Sequence, residues 1–491
     1  MTPNQYTPEE PISSIATALA PAALGIIRVS GKDSIQLVSK VFSRPKALQE
    51  APGNTLVYGW IQDKTEKIDE VMCAVYRAPK SFTGEDMVEI FCHGGPAVVT
   101  AIQNLMLRSG FRQANRGEYT FRAFINGKTD LTKAEAVREI IDSHTDASRS
   151  HAAGRLAGSL FTEIDSIKQL IIDTLAAIEV EIEYPEDEET IADSFDRADI
   201  ELAVNRLQSL VDSWRGEKLY QDGARVVLAG RTNAGKSSLF NAILKEERAI
   251  VSDIEGTTRD WLESWASVNG IPVRLFDTAG LRQTDDVIEA QGVQLSKNLA
   301  SDADVVLYLV DSSVGLSPDD KKFIENCREP IILVWNKCDK GGESLPLEVG
   351  TDQMRSRGGS TETRSKRCDS RVLPASPSLP IRNAFALPQV QISAKTGNGL
   401  KALFDETEKI LTSGLPTERQ QAGLGSARQK EAVAEALECT KHALVSADDN
   451  YTLDAVVQDL EDALDALSEV TGDITPDDVL SSIFANFCVG K

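Results

Sequence analysis

The sequence predicts a multidomain protein with an α+β amino-terminal domain, all-α segments, and an α/β domain that lies between two of those helical segments. Three patterns in the 491 residues predict this order. Short apolar runs alternate with turn residues over about the first 120 positions, and helical periodicity dominates at about 130–220 and again at 426–485. Between these segments, from 224 to about 412, strands alternate with helices.

In the amino-terminal part, apolar runs at 24–29, 71–76 and 87–92 predict β-strands. A helix is predicted over 96–107, because Pro96 suits the first turn of a helix. Strands mixed with a helix over so short a span predict a small α+β domain.

Both helical segments carry apolar residues at helical spacing. These residues are Leu170, Ile171, Leu175 and Ile178 in the first segment, and Val457, Leu460, Leu464 and Leu467 in the second. The two segments could pack together as one domain that the α/β part interrupts.

The α/β part contains a series of buried-strand candidates, whose alternation with helices predicts a parallel sheet with helices on both faces. The predicted strands are 224–229, 273–276, 305–310, 331–335 and 390–392. Residues 341–389 interrupt this pattern, because they are rich in Ser, Arg, Gly and Pro and have little apolar periodicity. Such a composition predicts a mostly flexible surface insertion.

Composition excludes several classes of protein. The net charge of −23 argues against nonspecific binding to nucleic acid, so such a partner would need a local basic surface or a second protein. There is no run of about 18 apolar residues and no secretory signal pattern at the start, which predicts a cytoplasmic protein. Seven cysteines without a C-x-x-C pair predict neither a disulfide framework nor a zinc site.

Residues 230–237 match the phosphate-binding pattern G-x-x-x-x-G-K-S, directly after a predicted strand and before a predicted helix. Backbone N–H groups of such a loop surround phosphates at the helix N-terminus. Lys236 is expected to reach the β- and γ-phosphates, and the Ser237 hydroxyl is expected to bind Mg²⁺.

Two further segments complete the phosphate end of the predicted site. Asp277 ends the next strand and begins the sequence Asp-Thr-Ala-Gly, in which the carboxylate suits the outer shell of Mg²⁺ and Gly280 can approach the γ-phosphate. The preceding Gly256-Thr257-Thr258 supplies a threonine hydroxyl for the Mg²⁺ shell, as GTPase switch segments do.

The base end is predicted from Asn336-Lys337-Cys338-Asp339, which follows a strand. The Asp339 carboxylate can accept two hydrogen bonds from guanine, whereas adenine offers no matching donor pair, which excludes an ATP-driven enzyme. Ser393-Ala394-Lys395 follows the last strand and is expected to close over the base. In this order, the motifs predict a P-loop GTPase domain of the Ras-like class. The predicted GTP-binding residues are Asn233, Ala234, Gly235, Lys236, Ser237, Ser238, Ser252, Thr257, Thr258, Asp277, Thr278, Ala279, Gly280, Asn336, Lys337, Asp339, Ser393, Ala394 and Lys395.

One position departs from small signalling GTPases, which place a glutamine after the Asp-Thr-Ala-Gly segment to orient water. Leu281 stands there and cannot polarise water. Glu289 is a candidate for that task, the alternative being an exposed helix residue. Asn233, within the phosphate loop, could ligate a monovalent cation where other GTPases use an arginine finger.

Over nearly its whole length, the chain resembles the MnmE (TrmE) family of tRNA-modification GTPases. Besides the GTPase motifs, the resemblance depends on segments at both ends of the chain. They are 25–31 (GIIRVSG), 81–86 (SFTGED), 93–96 (HGGP), 116–120 (RGEYT), 126–128 (NGK) and 487–491 (FCVGK).

The resemblance implies an organisation into domains. Residues 1–122 would form a folate-binding domain that dimerises, 123–222 and 416–491 a split helical domain, and 223–415 the GTPase domain. It also implies K⁺-stimulated hydrolysis and a partner, the FAD enzyme MnmG. Together the two proteins would modify carbon 5 of the tRNA wobble uridine with an aminomethyl-type group, and a reduced folate would supply the one-carbon unit.

The resemblance further implies roles for individual residues. Mg²⁺ would be bound by Ser237 and Thr258, and Glu289 matches the catalytic glutamate of the family. The implied K⁺ ligands are Asn233, Ser252, Ile254 and Thr257, the implied folate-binding residues are Arg28, Glu85, Lys128 and Lys491, and Cys488 matches a cysteine needed for tRNA modification.

Two features depart from the family, namely the 341–389 insertion and Thr232, which stands where a proline is usual. The alternative function is a ribosome-assembly GTPase that binds RNA. The net charge of −23 and the Cys-Val-Gly-Lys ending favour the first interpretation. For Cys488, the alternative interpretation is a buried small side chain near the chain end.

Overall fold

The computed structural model of the protein describes residues 10–183, 196–246, 263–277, 302–340, 387–415, 422–448 and 453–490. The chain divides into two compact units, one formed by 1–221 together with 415–491, and the other by 222–414. Among the described residues, no helix has the length and apolar character needed to cross a membrane.

The amino-terminal part of the first unit contains a six-stranded sheet and three helices. In chain order these are β1 (Ile12–Ile15), β2 (Ala22–Ser30), α1 (Ser34–Ser39), α2 (Pro45–Glu50), β3 (Thr55–Asp63), β4 (Glu66–Tyr76), β5 (Met87–Gly94), α3 (Pro96–Arg108) and β6 (Arg112–Gln113). The strand order is β3-β4-β5-β2-β1-β6, and all neighbours are antiparallel except β1 and β6.

This sheet has one buried and one partly exposed face, because alternate side chains of each strand point to opposite sides. Ile27, Cys73 and Ile90 lie on the inner face, in a core that includes Ile35 of α1 and Ile102 of α3. The strands and the helix predicted in this part are therefore confirmed, and the α+β prediction is confirmed with them.

Helices follow the amino-terminal sheet. They are α4 (Glu118–Ile125), α5 (Leu131–Asp142), α6 (Asp146–Leu156), α7 (Ser159–Glu183) and α8 (Arg197–Asp222). Asp130 caps α5 by accepting a hydrogen bond from the Lys133 N–H, and Thr145 forms a capping box with Ser148 at the start of α6.

The second unit is an α/β domain with a six-stranded sheet. Its elements are β7 (Ala224–Gly230), α9 (Lys236–Glu246), β8 (Glu263–Val268), β9 (Ile271–Asp277), β10 (Val305–Asp311), α10 (Pro318–Asn326), β11 (Ile331–Asn336), a 3₁₀ turn (Cys338–Lys340), β12 (Gln389–Gln391) and α11 (Leu400–Leu411). The strand order is β12-β11-β10-β7-β9-β8.

Five strands of this sheet are parallel, as predicted, but β8 runs antiparallel to β9. The two are joined by Asn269 and Gly270, which both have positive φ (50° and 89°), the backbone that favours two-residue hairpin turns. The parallel sheet predicted from five strands is therefore confirmed, and β8 is an additional edge strand that the sequence analysis did not predict.

The end of the 341–389 segment also differs from expectation. Leu387 packs against the core of the α/β domain, and Gln389 begins β12 and accepts a hydrogen bond from Trp335 Nε1 at 3.0 Å. These last residues therefore belong to the packed α/β domain rather than to a surface insertion. Residues 341–386 lie outside the described part of the chain.

The chain then returns to the first unit. Its last helices are α12 (Ala427–Asp448), α13 (Leu453–Thr471) and α14 (Asp477–Ala485). One apolar core contains Ile171 of α7 and Leu207 of α8 together with Val433 of α12 and Leu460 of α13. The predicted discontinuous all-α domain is therefore confirmed, since helices before and after the α/β domain share this core.

Candidate nucleotide and cofactor sites

The phosphate loop lies between β7 and the first turn of α9, at the carboxyl end of a central parallel strand. This is where open α/β sheets bind their ligands. Gly235 has φ 100°, and a Cβ there would overlap the Asn336 side-chain amide, so only glycine fits. Asn233 also has positive φ, 63°, and its side chain is exposed.

The hydroxyl expected to bind Mg²⁺ meets the carboxylate at the end of the neighbouring strand β9. Ser237 Oγ donates a hydrogen bond to Asp277 Oδ2 at 2.8 Å. A hydroxyl and a carboxylate are the oxygen ligands that Mg²⁺ prefers, so this pair fits the ion. Lys236 Nζ lies inside the loop, 2.7 Å from Gly230 O and 2.9 Å from Arg231 O. The exposed Ser238 follows in the first turn of α9.

Asn336 joins the phosphate loop to the base end of the site. Its Nδ2 donates to Ala234 O at 2.9 Å, and its Oδ1 accepts from the Ala394 N–H at 3.0 Å. The Asn336 side chain is buried, so both hydrogen bonds are protected from water. The two predicted base-end motifs and the phosphate loop therefore meet at one side chain.

Asp339 lies on the 3₁₀ turn after β11, where Ser393 Oγ donates to its Oδ1 at 2.8 Å. This hydrogen bond lowers the pKa of the Asp339 carboxyl, which keeps it ionised at neutral pH and able to accept hydrogen bonds from guanine. Lys395 is exposed in the turn that follows Ser393.

Lys337 has a partner that the sequence analysis missed. Its Nζ donates to Asn233 O at 2.6 Å and forms an ion pair of 2.7 Å with Asp311 Oδ2. Asp311 ends β10, and hydrogen bonds from Lys337 and Ser313 lower its pKa to about 2. The signal in the sequence was an aspartate at the end of a buried strand, which the motifs alone did not connect with Lys337.

Several predicted site residues lie outside the described residues. They are Ser252, Ile254, Thr257, Thr258, Thr278, Ala279, Gly280, Leu281, Glu289 and Lys491. Their roles therefore stay predictions.

In the first unit, Arg28 of β2 is surrounded by partners. Its Nε donates to Glu89 Oε1 of β5 at 2.8 Å, and its Nη1 donates to Gly490 O at 3.2 Å. The guanidinium carbon lies 5.3 Å from the Phe82 ring centroid and 5.5 Å from the Tyr119 ring centroid. Of these two rings, Phe82 is exposed and can contact a flat ligand, whereas Tyr119 is fully buried.

Glu85 is held by a fully buried arginine that the sequence analysis did not name. Arg122 Nη1 donates to Glu85 Oε2 at 3.0 Å, and Ser30 Oγ donates to the same oxygen at 2.7 Å. Arg122 also pairs with buried Glu118 at 2.9 Å. Burial by itself would raise the pKa of Glu118, but the Arg112 and Arg122 guanidinium groups and the Asn115 N–H outweigh burial and lower it.

Lys128 lies next to the same loop. Its side chain passes beside Gly84, and its Nζ donates to Pro79 O at 3.0 Å. Asn126 Nδ2 donates to Thr83 O at 2.7 Å, which fixes the end of α4 against this loop. The structure thus brings the regions of Arg28, Glu85 and Lys128 together around the 81–86 loop.

The carboxy-terminal tail docks on this part of the protein. Val489 forms an isolated antiparallel bridge with Arg116, and the Gly117 N–H donates to Cys488 O at 3.4 Å. The Cys488 side chain is exposed, so its alternative interpretation as a buried small residue is wrong. Because Gly490 O contacts Arg28, the tail ends beside the candidate folate residues.

Known proteins are similar to this chain in both its amino-terminal part and its later parts. Residues 11–128 match the family model described as GTP-binding protein TrmE N-terminus, and residues 131–488 match the one described as MnmE helical domain. Three relatives, each named tRNA modification GTPase MnmE, match along their whole length. They come from Treponema denticola (48% identity over 99% of both chains), Treponema pallidum strain Nichols (42% over 100% of both) and Borrelia turicatae (38% over 99% of this chain and 100% of the relative).

One of these models alone spans well over half of the chain, and the similarity to these relatives extends through the amino-terminal, helical and GTPase parts alike. The chain therefore belongs to the MnmE (TrmE) family of tRNA modification GTPases.

Proposed function

We propose that this GTPase is stimulated by K⁺ and acts with the FAD enzyme MnmG on the tRNA wobble uridine. Together they would install a (carboxymethyl)aminomethyl group at carbon 5, with a reduced folate as the one-carbon donor. The contact between Gly490 O and Arg28 carries this proposal, because it brings the tail that bears Cys488 to the candidate folate residues. The full-length relatives named tRNA modification GTPase favour it over a ribosome-assembly GTPase.

Nucleotide binding follows from the second unit. Lys236 would contact the β- and γ-phosphates, Asp339 would accept hydrogen bonds from guanine, and Ser237 with Thr258 would hold Mg²⁺. The Ser237–Asp277 hydrogen bond supports this assignment, since Asp277 can orient the Mg²⁺ ligand from the outer shell. The bound Mg²⁺ would neutralise charge on the phosphates.

A monovalent cation site would lie at Asn233. This residue has a left-handed backbone and an exposed side chain, whose amide oxygen is a suitable ligand for K⁺. Ser252, Ile254 and Thr257 would supply the other oxygens, and the ion would stabilise the charge that develops on the phosphates.

Glu289 would orient the attacking water in place of the glutamine that Leu281 replaces.

The folate site would lie around the 81–86 loop. Glu85 would accept hydrogen bonds from the pterin, because Arg122 and Ser30 already fix its carboxylate in one orientation. Phe82, which is exposed beside the Arg28 guanidinium, would pack against the ring system, and Arg28, Lys128 and Lys491 would attract the carboxylates of the glutamyl tail.

A homodimer is supported by the outer face of the amino-terminal sheet. Tyr58, Met72, Phe91 and Ile26 form one cross-strand row over four strands, and Tyr58 and Met72 are exposed. Exposed Leu24 and Leu56 lie on the same face. A contiguous apolar patch of this kind is typical of protein interfaces, so two copies would meet here, through the domain that carries the folate residues.

Titration calorimetry with 5-formyltetrahydrofolate tests the folate site. Arg28→Ala and Glu85→Ala should each abolish measurable binding while GTP hydrolysis persists, because neither residue belongs to the nucleotide site. Arg108→Ala is the matched control, since Arg108 forms an exposed ion pair with Asp63 in the same part of the protein. Parent-like folate affinity in either variant would remove that residue from the site.

Co-purification tests the partner. The tagged protein should retain an FAD-containing protein, recognisable by its flavin absorbance, and should not retain ribosomal particles. Ribosomal particles without a flavoprotein would favour the ribosome-assembly alternative instead.

A further inference from the structure

Asp311, Lys337 and Asn233 form a chain of contacts from the end of β10 to the phosphate loop. Lys337 Nζ lies 2.7 Å from Asp311 Oδ2 and 2.6 Å from Asn233 O. An ammonium group has three donors, so both contacts can form at once. This chain joins the guanine motif to the residue proposed as a K⁺ ligand.

Asp311 is itself held in one orientation. Its Oδ1 accepts hydrogen bonds from Ser313 N at 3.0 Å and from Ser313 Oγ at 2.6 Å, which leaves Oδ2 directed at Lys337. Asp311 also pairs in register with Asn336, the residue before Lys337, across two parallel strands. The carboxylate therefore lies at the end of an interior strand of the sheet rather than on a loop.

The two residues that Asp311 reaches through these contacts, Lys337 and Asn233, both have an unfavourable backbone conformation. Asn233 and Lys337 have φ of 63° and 66°, in the left-handed region that costs side-chain-bearing residues free energy. Such conformations persist only when neighbouring contacts fix them. The hydrogen bond from Lys337 Nζ to Asn233 O is such a contact, and it depends on Asp311 holding the ammonium group.

We infer that Asp311 is a positioning residue for the monovalent cation: acting through Lys337, it fixes the Asn233 backbone so that the Asn233 side chain is presented to K⁺. This inference rests on the proposed K⁺ site at Asn233 and extends it by one residue outside the nucleotide motifs. It also couples guanine binding to cation binding, because Lys337 is part of the guanine motif and contacts the backbone of Asn233.

The charge of Asp311 is constant over the physiological range. Hydrogen bonds from Lys337 and Ser313 lower its pKa to about 2, so the carboxylate stays ionised far below neutral pH. The Asp311 contact therefore adds no pH dependence to K⁺ stimulation between about pH 5 and 8.

Asp311→Asn tests the inference, because it removes the charge and keeps the shape. GTP hydrolysis is measured against K⁺ concentration, with Na⁺ holding the ionic strength constant, and GDP affinity is measured separately. Loss of a residue that orients a metal ligand typically costs 10–100-fold in metal affinity, so the half-activating K⁺ concentration should rise about tenfold or more. GDP affinity should change by much less, because the hydrogen bonds of Asn336 and Asp339 do not involve Asp311.

Two further variants keep the result interpretable. Asp319→Asn removes an equal charge from an exposed position on α10, and its half-activating K⁺ concentration and GDP affinity should equal those of the parent. Asp311→Glu retains the charge, so its half-activating K⁺ concentration should lie between those of the parent and Asp311→Asn.

Three outcomes would overturn the inference. An unchanged half-activating K⁺ concentration in Asp311→Asn would show that Asp311 does not act on the cation site. A large loss of GDP affinity with unchanged K⁺ activation would assign Asp311 to base binding alone. Equal hydrolysis in K⁺ and Na⁺ by the parent would contradict the proposed K⁺ site itself, and the role of Asp311 with it.

Discussion

The Asn336 side-chain amide donates a hydrogen bond to Ala234 O at 2.9 Å, and so connects the guanine motif directly to the phosphate loop. The same side chain accepts a hydrogen bond from the Ala394 N–H at 3.0 Å. Three segments far apart in the sequence thus share one buried side chain, which makes the nucleotide site a single cooperative structure.

Asn336→Ala should therefore weaken binding of GTP and GDP alike. The substitution leaves Ala234 O and the Ala394 N–H without their partner, and an unsatisfied buried polar group costs about 1–3 kcal/mol, or roughly 5- to 150-fold in affinity. Fluorescent-nucleotide titration measures the loss. The control is Asn398→Ala, an exposed residue in the turn before α11, which should bind both nucleotides as the parent does.

Asp339→Asn should change the base that is preferred. The amide can donate to the carbonyl oxygen that xanthine carries in place of the guanine amino group, whereas a carboxylate accepts from guanine. GTP affinity should fall and xanthosine triphosphate affinity should rise, as competition titrations would measure. Undiminished GTP affinity would contradict the role given to Asp339.

Asn233→Ala should abolish the difference between K⁺ and Na⁺. GTP turnover by the parent should rise severalfold or more when K⁺ replaces Na⁺, because the cation replaces the positive charge of an arginine finger. The variant has no side-chain oxygen at this position, so its rates in the two salts should be equal. A variant that still prefers K⁺ would place the ion elsewhere.

Arg155→Met should destabilise the first unit. Arg155 is buried and bonded to Glu139 and Glu217, at 2.7 Å to the latter, and removing one partner of such a network costs about 3–5 kcal/mol. The effect should appear as a lower thermal unfolding midpoint at pH 7. Arg197→Met, which breaks an exposed pair with Glu201, should change it little.

This loss of stability should also depend on pH. Burial raises the pKa of Glu139 even with Arg155 present, whereas in Glu217 the effect of burial is outweighed by His151 and Arg155, which lower its pKa. Without Arg155, the folded-state pKa of Glu139 should rise further above its unfolded value, and only His151 would still oppose the effect of burial on Glu217. A carboxyl whose folded-state pKa is raised gains protons on folding, so stability falls as pH rises from about 4.5. The difference in thermal unfolding midpoint between the Arg155→Met variant and the parent should therefore be smaller at pH 5 than at pH 7.

The main sequence-based predictions of fold followed from strong periodicity and from motifs with a fixed structural context. Strands β5, β7, β10 and β11 are apolar runs bounded by turn residues, and the phosphate loop needs a strand before it and a helix after it. The β8–β9 hairpin was missed although Asn269-Gly270 is a strong turn signal. The alternation of strands with helices identified the five parallel strands and left this antiparallel edge strand out.

Two site residues, Arg122 and Asp311, could not be identified from the sequence, and the physical reason is the same for both. Arg122 and Asp311 act on named motif residues through contacts between segments far apart in the sequence, 37 residues for Arg122 with Glu85 and 26 for Asp311 with Lys337. A buried arginine and a strand-end aspartate carry no local pattern that identifies their partners. Only the tertiary packing reveals which charges meet.

Nucleoside mass analysis of tRNA from cells that lack this protein tests the proposed function most directly. Wobble uridines that normally carry the (carboxymethyl)aminomethyl group should lose it, and the gene for the parent protein should restore it. A gene encoding Cys488→Ser should not restore it, although the variant should still hydrolyse GTP, because Cys488 is exposed on the docked tail and lies in the first unit, whereas the nucleotide site lies in the second. Wobble uridines that keep the modification in cells without the protein would contradict the account.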